Sequence, residues 1–255
     1  MTPSSAVADI GVFGGSGFYD FVDDLEQRIV RTAYGDPSGP VTIGTVGEHR
    51  VAFLPRHGRT HQFPPHRVPY RANVAAMRDL GVRLLLAPFA AGSLQPTIHP
   101  GEFVVVDQLV DRTSGRPDTF YDSFDDGPHH VSLADPYDDD ARQVLVDTAK
   151  RLGITVHERG TVVVVQGPRF STRAESAWYR SLGWDVINMT QYPEAALARE
   201  AELRYAGIAL VTDYDTGLEG IPGVEPVTQE QVFGFFEQNV DRIRELLLAA
   251  IPSLL

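Results

Sequence analysis

Short apolar runs of strand length recur along the chain, at Asp9 to Phe13, Val51 to Leu54, Arg83 to Phe89, Phe103 to Val110, Thr161 to Val165, Asp185 to Met189 and Ile208 to Val211. Several are rich in β-branched residues and bounded by Gly, Pro or polar residues, as buried strands are. Helix-like segments separate some of them. Arg71 to Leu80 is one; Thr172 to Ser181 is another, with Thr172 and Glu175 spaced as a capping box. A third, Glu194 to Ala206, opens just after Pro193, a residue suited to a first helical turn. The tail from Thr228 to Ile251 carries Val232, Phe236, Val240, Ile243 and Leu247 at helical spacing along one face. This alternation predicts an α/β fold with a largely parallel central sheet, as one domain over residues 1–255. The polar stretch from Arg112 to Asp140, with SFDDGPHH and DPYDDD, reads as excursion loops.

Composition narrows the function. Without cysteine there are no disulfides and no cysteine-based metal sites. The N-terminus lacks the basic start and apolar stretch of a signal peptide, and no apolar run approaches the ~20 residues that span a bilayer. The expectation is a soluble cytoplasmic protein. A net charge of −12 repels polyanions, which argues against nucleic-acid binding. An anionic substrate would need locally concentrated donors.

Five segments supply candidate chemistry. IGVFGGSGFYD runs from a strand into a glycine-rich turn at Gly14, Gly15, Ser16 and Gly17. Glycines let backbone N–H groups approach an anion, and Ser16 adds a hydroxyl, but the pattern is neither a Walker loop nor a dinucleotide fingerprint. A tight structural turn explains it equally well. PRHGRTHQFPPHRVPYRAN concentrates Arg56, His57, Arg59, His61, His66, Arg67 and Arg71 after an apolar strand, where α/β proteins place ligand loops. Arginine holds phosphate bidentately and histidine can donate to it. Zinc is the rival through His57 and His61, but Gly58 and the nearby prolines oppose the helix that such spacing needs, and no Glu follows His57. A solvated basic face is the plainer alternative.

In VVVVQGPRFSTRAES, Phe170 is placed to stack on a flat base and Ser171 to hydrogen-bond it, or the two are core and helix entry. WDVINMTQYPEAALARE ends a strand at Met189 and Thr190: a thioether to pack on a sugar and a hydroxyl for phosphate, or ordinary core. ALVTDYDTG puts Asp213 and Asp215 at the end of an apolar strand, where side chains two apart share a face, so both carboxylates can point into one cavity. Close carboxylates push one pKa upward, which would keep a proton available near neutrality. Solvated aspartates in a surface turn are the alternative.

Together the five segments, in this order from residue 10 to 215, resemble the trimeric purine nucleoside phosphorylase superfamily, in its methylthioadenosine phosphorylase branch. The resemblance implies a mixed, partly barrel-like sheet flanked by helices, and no metal or organic cofactor, inorganic phosphate being a co-substrate. It implies a homotrimer, with a hexamer of paired trimers as the alternative assembly. The implied activity is phosphorolysis of 5'-methylthioadenosine to adenine and methylthioribose 1-phosphate, or, as an alternative, of inosine, guanosine, adenosine or methylthioinosine. It assigns phosphate to Ser16, Arg56, His57 and Thr190, and the base to Phe170, Ser171, Asp213 and Asp215, with Asp213 the proton donor. Met189 falls by the ribose. Val232 and Phe233, on the helix 228–251 that closes the 5' side, wall the 5' substituent, and a neighbouring subunit brings in His130 of HHVSLADP. Relatives that act on 6-oxopurines carry asparagine at the Asp213 position. Two positions depart from the family: Phe89 stands where a phosphate-binding threonine is usual, and Gln229 replaces an apolar 5'-pocket residue.

Overall fold

A computed structural model describes residues 6–15, 18, 26–123, 125, 127–216, 218 and 228–255. In chain order its elements are β1 (Ile10–Gly14), β2 (Glu26–Arg28), β3 (Val41–Val46), β4 (His49–Pro55), α1 (Tyr70–Asp79), β5 (Leu84–Ser93), β6 (Phe103–Val105), β7 (Gln108–Arg112), α2 (Asp139–Arg151), β8 (Val156–His157), β9 (Thr161–Val165), α3 (Arg173–Ser181), β10 (Val186–Asn188), α4 (Gln191–Glu200), β11 (Arg204–Asp213) and α5 (Gln229–Ala250). All eleven strands join one sheet, ordered β2-β3-β4-β1-β5-β10-β9-β7, with β11 on β5 and β6, and β8 on β6.

The sheet is mixed rather than largely parallel. β1 pairs in parallel with β4 and β5, but β10 meets β5, and β6 meets β11, in the antiparallel sense. Alternate strand residues feed opposite faces, as the pleat requires. Leu84 and Leu86 of β5 join one core with Phe236, Ile243 and Leu247 of α5 and Leu145 of α2. Leu85, Ala87 and Phe89 join the other, with Val74 and Met77 of α1 and Leu197 of α4. Helix pairs α1–α4 and α2–α5 therefore sandwich the sheet.

Local chemistry sets the helix limits. The Thr172 hydroxyl accepts from the Glu175 N–H while the Glu175 carboxylate accepts from the Thr172 N–H, so the capping box forms. The helix expected from Glu194 to Ala206 stops at Glu200. There the Leu203 N–H reaches the Ala198 carbonyl and the Glu202 N–H the Arg199 carbonyl, a Schellman closure with Glu202 at φ 58°. The freed chain becomes β11. The acidic stretch before residue 140 is not all loop, because Asp138 accepts from the Ala141 N–H and starts α2.

Strand β5 creates the space for a site. One edge pairs with β11 from Leu84 to Gly92. The other pairs with β1 only over Leu84–Leu86 and with β10 only from Gly92. Between those contacts the neighbours diverge, leaving Pro88 to Ala91 beside a gap, as at the switch points of open α/β sheets.

Candidate active site

A cavity of about 320 Å³ fills this gap. Its lining includes Gly15, Arg56, His57, His61, Phe170, Ser171, Met189, Thr190, Asp213 and Asp215, together with Gln229, Val232 and Phe233 from α5. Ser16 lies outside the described residues. His130 is exposed and does not line the cavity of its own chain.

Strand β5 orders the polar groups along the cavity. Its Pro88 carbonyl accepts from Arg56 Nη1 at 3.1 Å, its Ala90 carbonyl accepts from Asn188 Nδ2 at 3.1 Å, and its Gly92 lies beside Asp213, where a Cβ would come within 2.9 Å of the carboxylate. At ~3.3 Å per residue the arginine and aspartate ends are separated by roughly 13 Å of strand.

At the first end, Arg56 follows β4 and is fully buried. Its Nε and Nη2 donate to the two oxygens of Glu194, both at 2.9 Å. Burial alone favours the neutral guanidine, but the Glu194 carboxylate outweighs it and holds the Arg56 pKa above its ordinary range. Three of the five N–H groups are thus engaged, leaving one on each Nη nitrogen. His57 donates from Nδ1 to the Phe63 carbonyl at 2.8 Å. Burial drives its pKa down to about 3, so the ring is neutral and Nε2 carries a lone pair. With Nδ1–H committed to Phe63, the neutral ring offers Nε2 as an acceptor, and donation from Nε2 requires a second proton. Its ring stacks on His61 at 4.4 Å, and His61 meets the edge of Phe233 of α5. Stacked rings do not converge on an ion, and no metal-holding group of three His, Cys, Asp or Glu occurs among the described residues. Arg71, by contrast, leaves the site for Asp122.

Thr190 precedes α4. Asn188, which sequence reasoning passed over, accepts from the Thr190 and Gln191 N–H groups at 2.6 and 2.8 Å and so fixes this turn. Phe89 lines the cavity as well, but the residue is 1% exposed and packs with the α1–α4 layer, so no hydroxyl stands at this position.

At the other end, the two aspartates do not sit on one strand face. β11 carries a bulge before Asp213 and ends there, and Asp215 takes φ 43°. A turn brings them together, with the Asp215 N–H donating to Asp213 Oδ1 at 2.7 Å. The Thr212 hydroxyl donates to Oδ2 at 2.6 Å. Burial is the main force on Asp213; opposed by those two hydrogen bonds and aided slightly by the Asp215 charge, it raises the pKa to about 6. The direction matches expectation, but desolvation rather than mutual repulsion causes it. Asp215 is also raised, again by burial, against a hydrogen bond from Ser176. At this end of the cavity, Asp215 Oδ2 and Ser171 Oγ are buried with no partner among the described residues. Such atoms carry an unmet desolvation cost unless a ligand meets them.

Residues 9–252 match the model of the phosphorylase superfamily. The chain belongs to that superfamily. Among its members, a 5'-methylthioadenosine phosphorylase of Mycolicibacterium smegmatis is 54% identical, covering 96% of this chain and 90% of that protein. A purine nucleoside phosphorylase of Streptomyces coelicolor is 51% identical, covering 97% and 89%. A solved superfamily structure, the methylthioadenosine phosphorylase of Schistosoma mansoni with adenine, superposes with a TM-score of 0.89 at 40% identity, over 96% of this chain and 91% of that one. No helix among the described residues is long and apolar enough to cross a membrane.

Proposed function

We propose that this phosphorylase cleaves 5'-methylthioadenosine with inorganic phosphate, giving adenine and 5-methylthioribose 1-phosphate. The observation that carries the reading is the order along β5. Nη donors at Arg56 sit by Pro88, Thr190 is anchored through Asn188 by Ala90, and a carboxyl group of raised pKa sits by Gly92. That sequence matches phosphate, sugar and base in line. The names of the M. smegmatis and S. mansoni relatives support it.

In this reading Arg56, Thr190 and the glycine turn with Ser16 hold phosphate below the anomeric carbon, and His57 Nε2 accepts from a phosphate hydroxyl. The C1'–N9 bond breaks as a phosphate oxygen bonds to C1', and the sugar passes through an oxocarbenium-like state that phosphate charge stabilises. Asp213 gives its proton to N7, so the electron pair of the broken bond leaves on neutral adenine. Acid catalysis of this kind contributes ~10²–10⁴-fold. Phe170 stacks on the base, and Ser171 Oγ and Asp215 Oδ2 find in it the partners they lack. Met189 packs on the ribose, and Val232 and Phe233 enclose the methylthio group.

The name of the S. coelicolor relative favours a second reading, in which 5'-hydroxyl or 6-oxopurine nucleosides are the substrates, and Gln229 adds a polar group to the cavity. Asp213 weighs against 6-oxopurines, whose O6 acceptor would face carboxylate oxygen. Release of adenine from methylthioadenosine, measured with and without phosphate and beside release of hypoxanthine from inosine, tests both readings. Phosphate-independent release overturns phosphorolysis; preferred cleavage of inosine overturns the adenine assignment. We further propose assembly as a trimer, in which the exposed His130 completes a neighbour's site. Full specific activity retained in a monomer on dilution would contradict it.

A further inference from the structure

Arg56, which lines the cavity, is held from behind by a buried ion pair with Glu194. Glu194 lies in the first turn of α4, 1% exposed, and it receives three donors. Arg56 Nη2 and the Tyr205 hydroxyl reach Oε1 at 2.9 and 2.7 Å, and Arg56 Nε reaches Oε2 at 2.9 Å. Arg56 comes from the end of β4, Tyr205 from β11, and Thr190 directly precedes α4. The carboxylate thus ties the arginine to the helix whose start carries the threonine. Glu194 lines no part of the cavity. Its lateral, two-point grip on Nε and Nη2 leaves one spare N–H on each Nη nitrogen of Arg56, which lines the cavity. Pro88 fixes Nη1 from a third direction.

We propose that Glu194 is a positioning residue that sets the affinity for phosphate by holding Arg56 in register with Thr190, with Tyr205 as its support. This rests on the reading of Arg56 and Thr190 as phosphate donors. A carboxylate that only filled the core would affect both substrates alike when changed. One that aims Arg56 affects phosphate alone, and only while Arg56 is present.

The test is a double-mutant cycle on the full-length enzyme, with inorganic phosphate and methylthioadenosine varied separately. Glu194→Gln keeps the shape but turns one acceptor oxygen into a donor facing Arg56. It is expected to raise the KM for phosphate tenfold or more and leave the KM for the nucleoside within about twofold. In an Arg56→Ala background the same change is expected to alter phosphate dependence by less than twofold. Tyr205→Phe removes one donor but keeps both Arg56 bonds, and a two- to fivefold rise in phosphate KM is expected. It stands in if Glu194→Gln does not fold, with an unchanged phosphate KM then counting against the proposal. Equal changes in both KM values, or additive effects of Glu194→Gln and Arg56→Ala, overturn the positioning role while leaving phosphorolysis intact. Wild-type turnover that ignores phosphate overturns both.

Discussion

The two ends of the cavity handle buried polarity in opposite ways. At the arginine end each ligand-facing group is anchored within the protein, Arg56 by Glu194, His57 by the Phe63 carbonyl and the Thr190 N–H by Asn188, and what stays spare is one N–H on each Nη of Arg56 and the His57 Nε2 lone pair. At the aspartate end, Asp213 is held by Thr212 and the Asp215 N–H, but Ser171 Oγ and Asp215 Oδ2 are unpaired. A paired donor is a fixed donor, ready for an anion that any phosphate source supplies. An unpaired buried atom tolerates its cost only because the right ligand cancels it, and the wrong one does not. The first end should govern how strongly the enzyme binds, and the second what it binds.

Breaking the paired end should have the largest effect. Arg56→Ala removes two spare donors and strands Glu194 as an unpaired buried charge. Loss of one partner from such a pair costs about 3–5 kcal/mol of stability. Loss of charge-assisted bonds to phosphate adds a rise in its KM equivalent to roughly 1.5–3 kcal/mol. Denaturant unfolding and phosphate titration read these separately. Unchanged phosphate dependence in a folded variant would remove Arg56 from the site.

The unpaired end should alter choice rather than binding strength. A carboxyl at Asp213 gives a proton to N7 and accepts from N6 of adenine. Hypoxanthine sets O6 against carboxylate oxygen, leaving groups unpaired at about 1–3 kcal/mol each, or roughly tenfold to a hundredfold in rate. Asp213→Asn, whose amide donates to O6, should shift kcat/KM from methylthioadenosine toward methylthioinosine by that factor. An unaltered ratio would show that Asp213 does not read the base.

How much of this contrast could be read along the chain depended on distance in sequence. Asp213, Asp215, Phe170 and Ser171 fall in two short motifs, and the Thr172 capping box was legible for the same reason. Glu194 was not, because its partner lies 138 residues away and nothing local distinguishes it from a helix-surface glutamate. The end of α4 was hidden because Glu202 occupies a left-handed position where glycine usually announces the stop. The start of α2 was legible and missed: Asp138 followed by two further aspartates suits a helix N-terminus as well as a loop. Parallel and antiparallel neighbours leave the same apolar pattern in a buried strand, so the mixed pairing around β5 could come only from the assembled sheet.

The raised pKa of Asp213 gives the contrast a pH signature. The carboxyl is protonated in the folded enzyme up to about pH 6, so kcat/KM should fall about tenfold per unit above it. His57, neutral above about pH 3, adds no limb in this range. Stability follows the same group. Because the folded pKa is raised, the benefit is complete below the unfolded value near 4 and is lost as pH rises through about 6. Asp213→Asn should lack both effects. Dividing the wild-type profile by that of the variant cancels the ionisation of phosphate, which both share. A ratio flat from pH 5 to 8 would mean that Asp213 does not supply the proton.

The smallest expected effect is the sharpest test of the contrast, because two readouts should move in opposite directions. Ser171 Oγ is buried with no partner among the described residues, so the unliganded protein bears its desolvation cost. Ser171→Ala removes that hydroxyl with little change in volume. Without ligand, the variant should therefore be more stable, by about 1 kcal/mol, at the low end of the cost of a buried unsatisfied group. With substrate, the base loses one hydrogen bond, and kcat/KM should fall by about 0.5–1.5 kcal/mol, roughly two- to tenfold. The matching change at the paired end, Asn188→Ala, should lower stability and activity together, since it frees the N–H groups of Thr190 and Gln191. Unfolding in denaturant without ligand, set beside steady-state kinetics, gives all four values. If Ser171→Ala loses stability as Asn188→Ala does, the hydroxyl is paired in the free protein, and the two ends do not differ in the way their hydrogen bonds indicate.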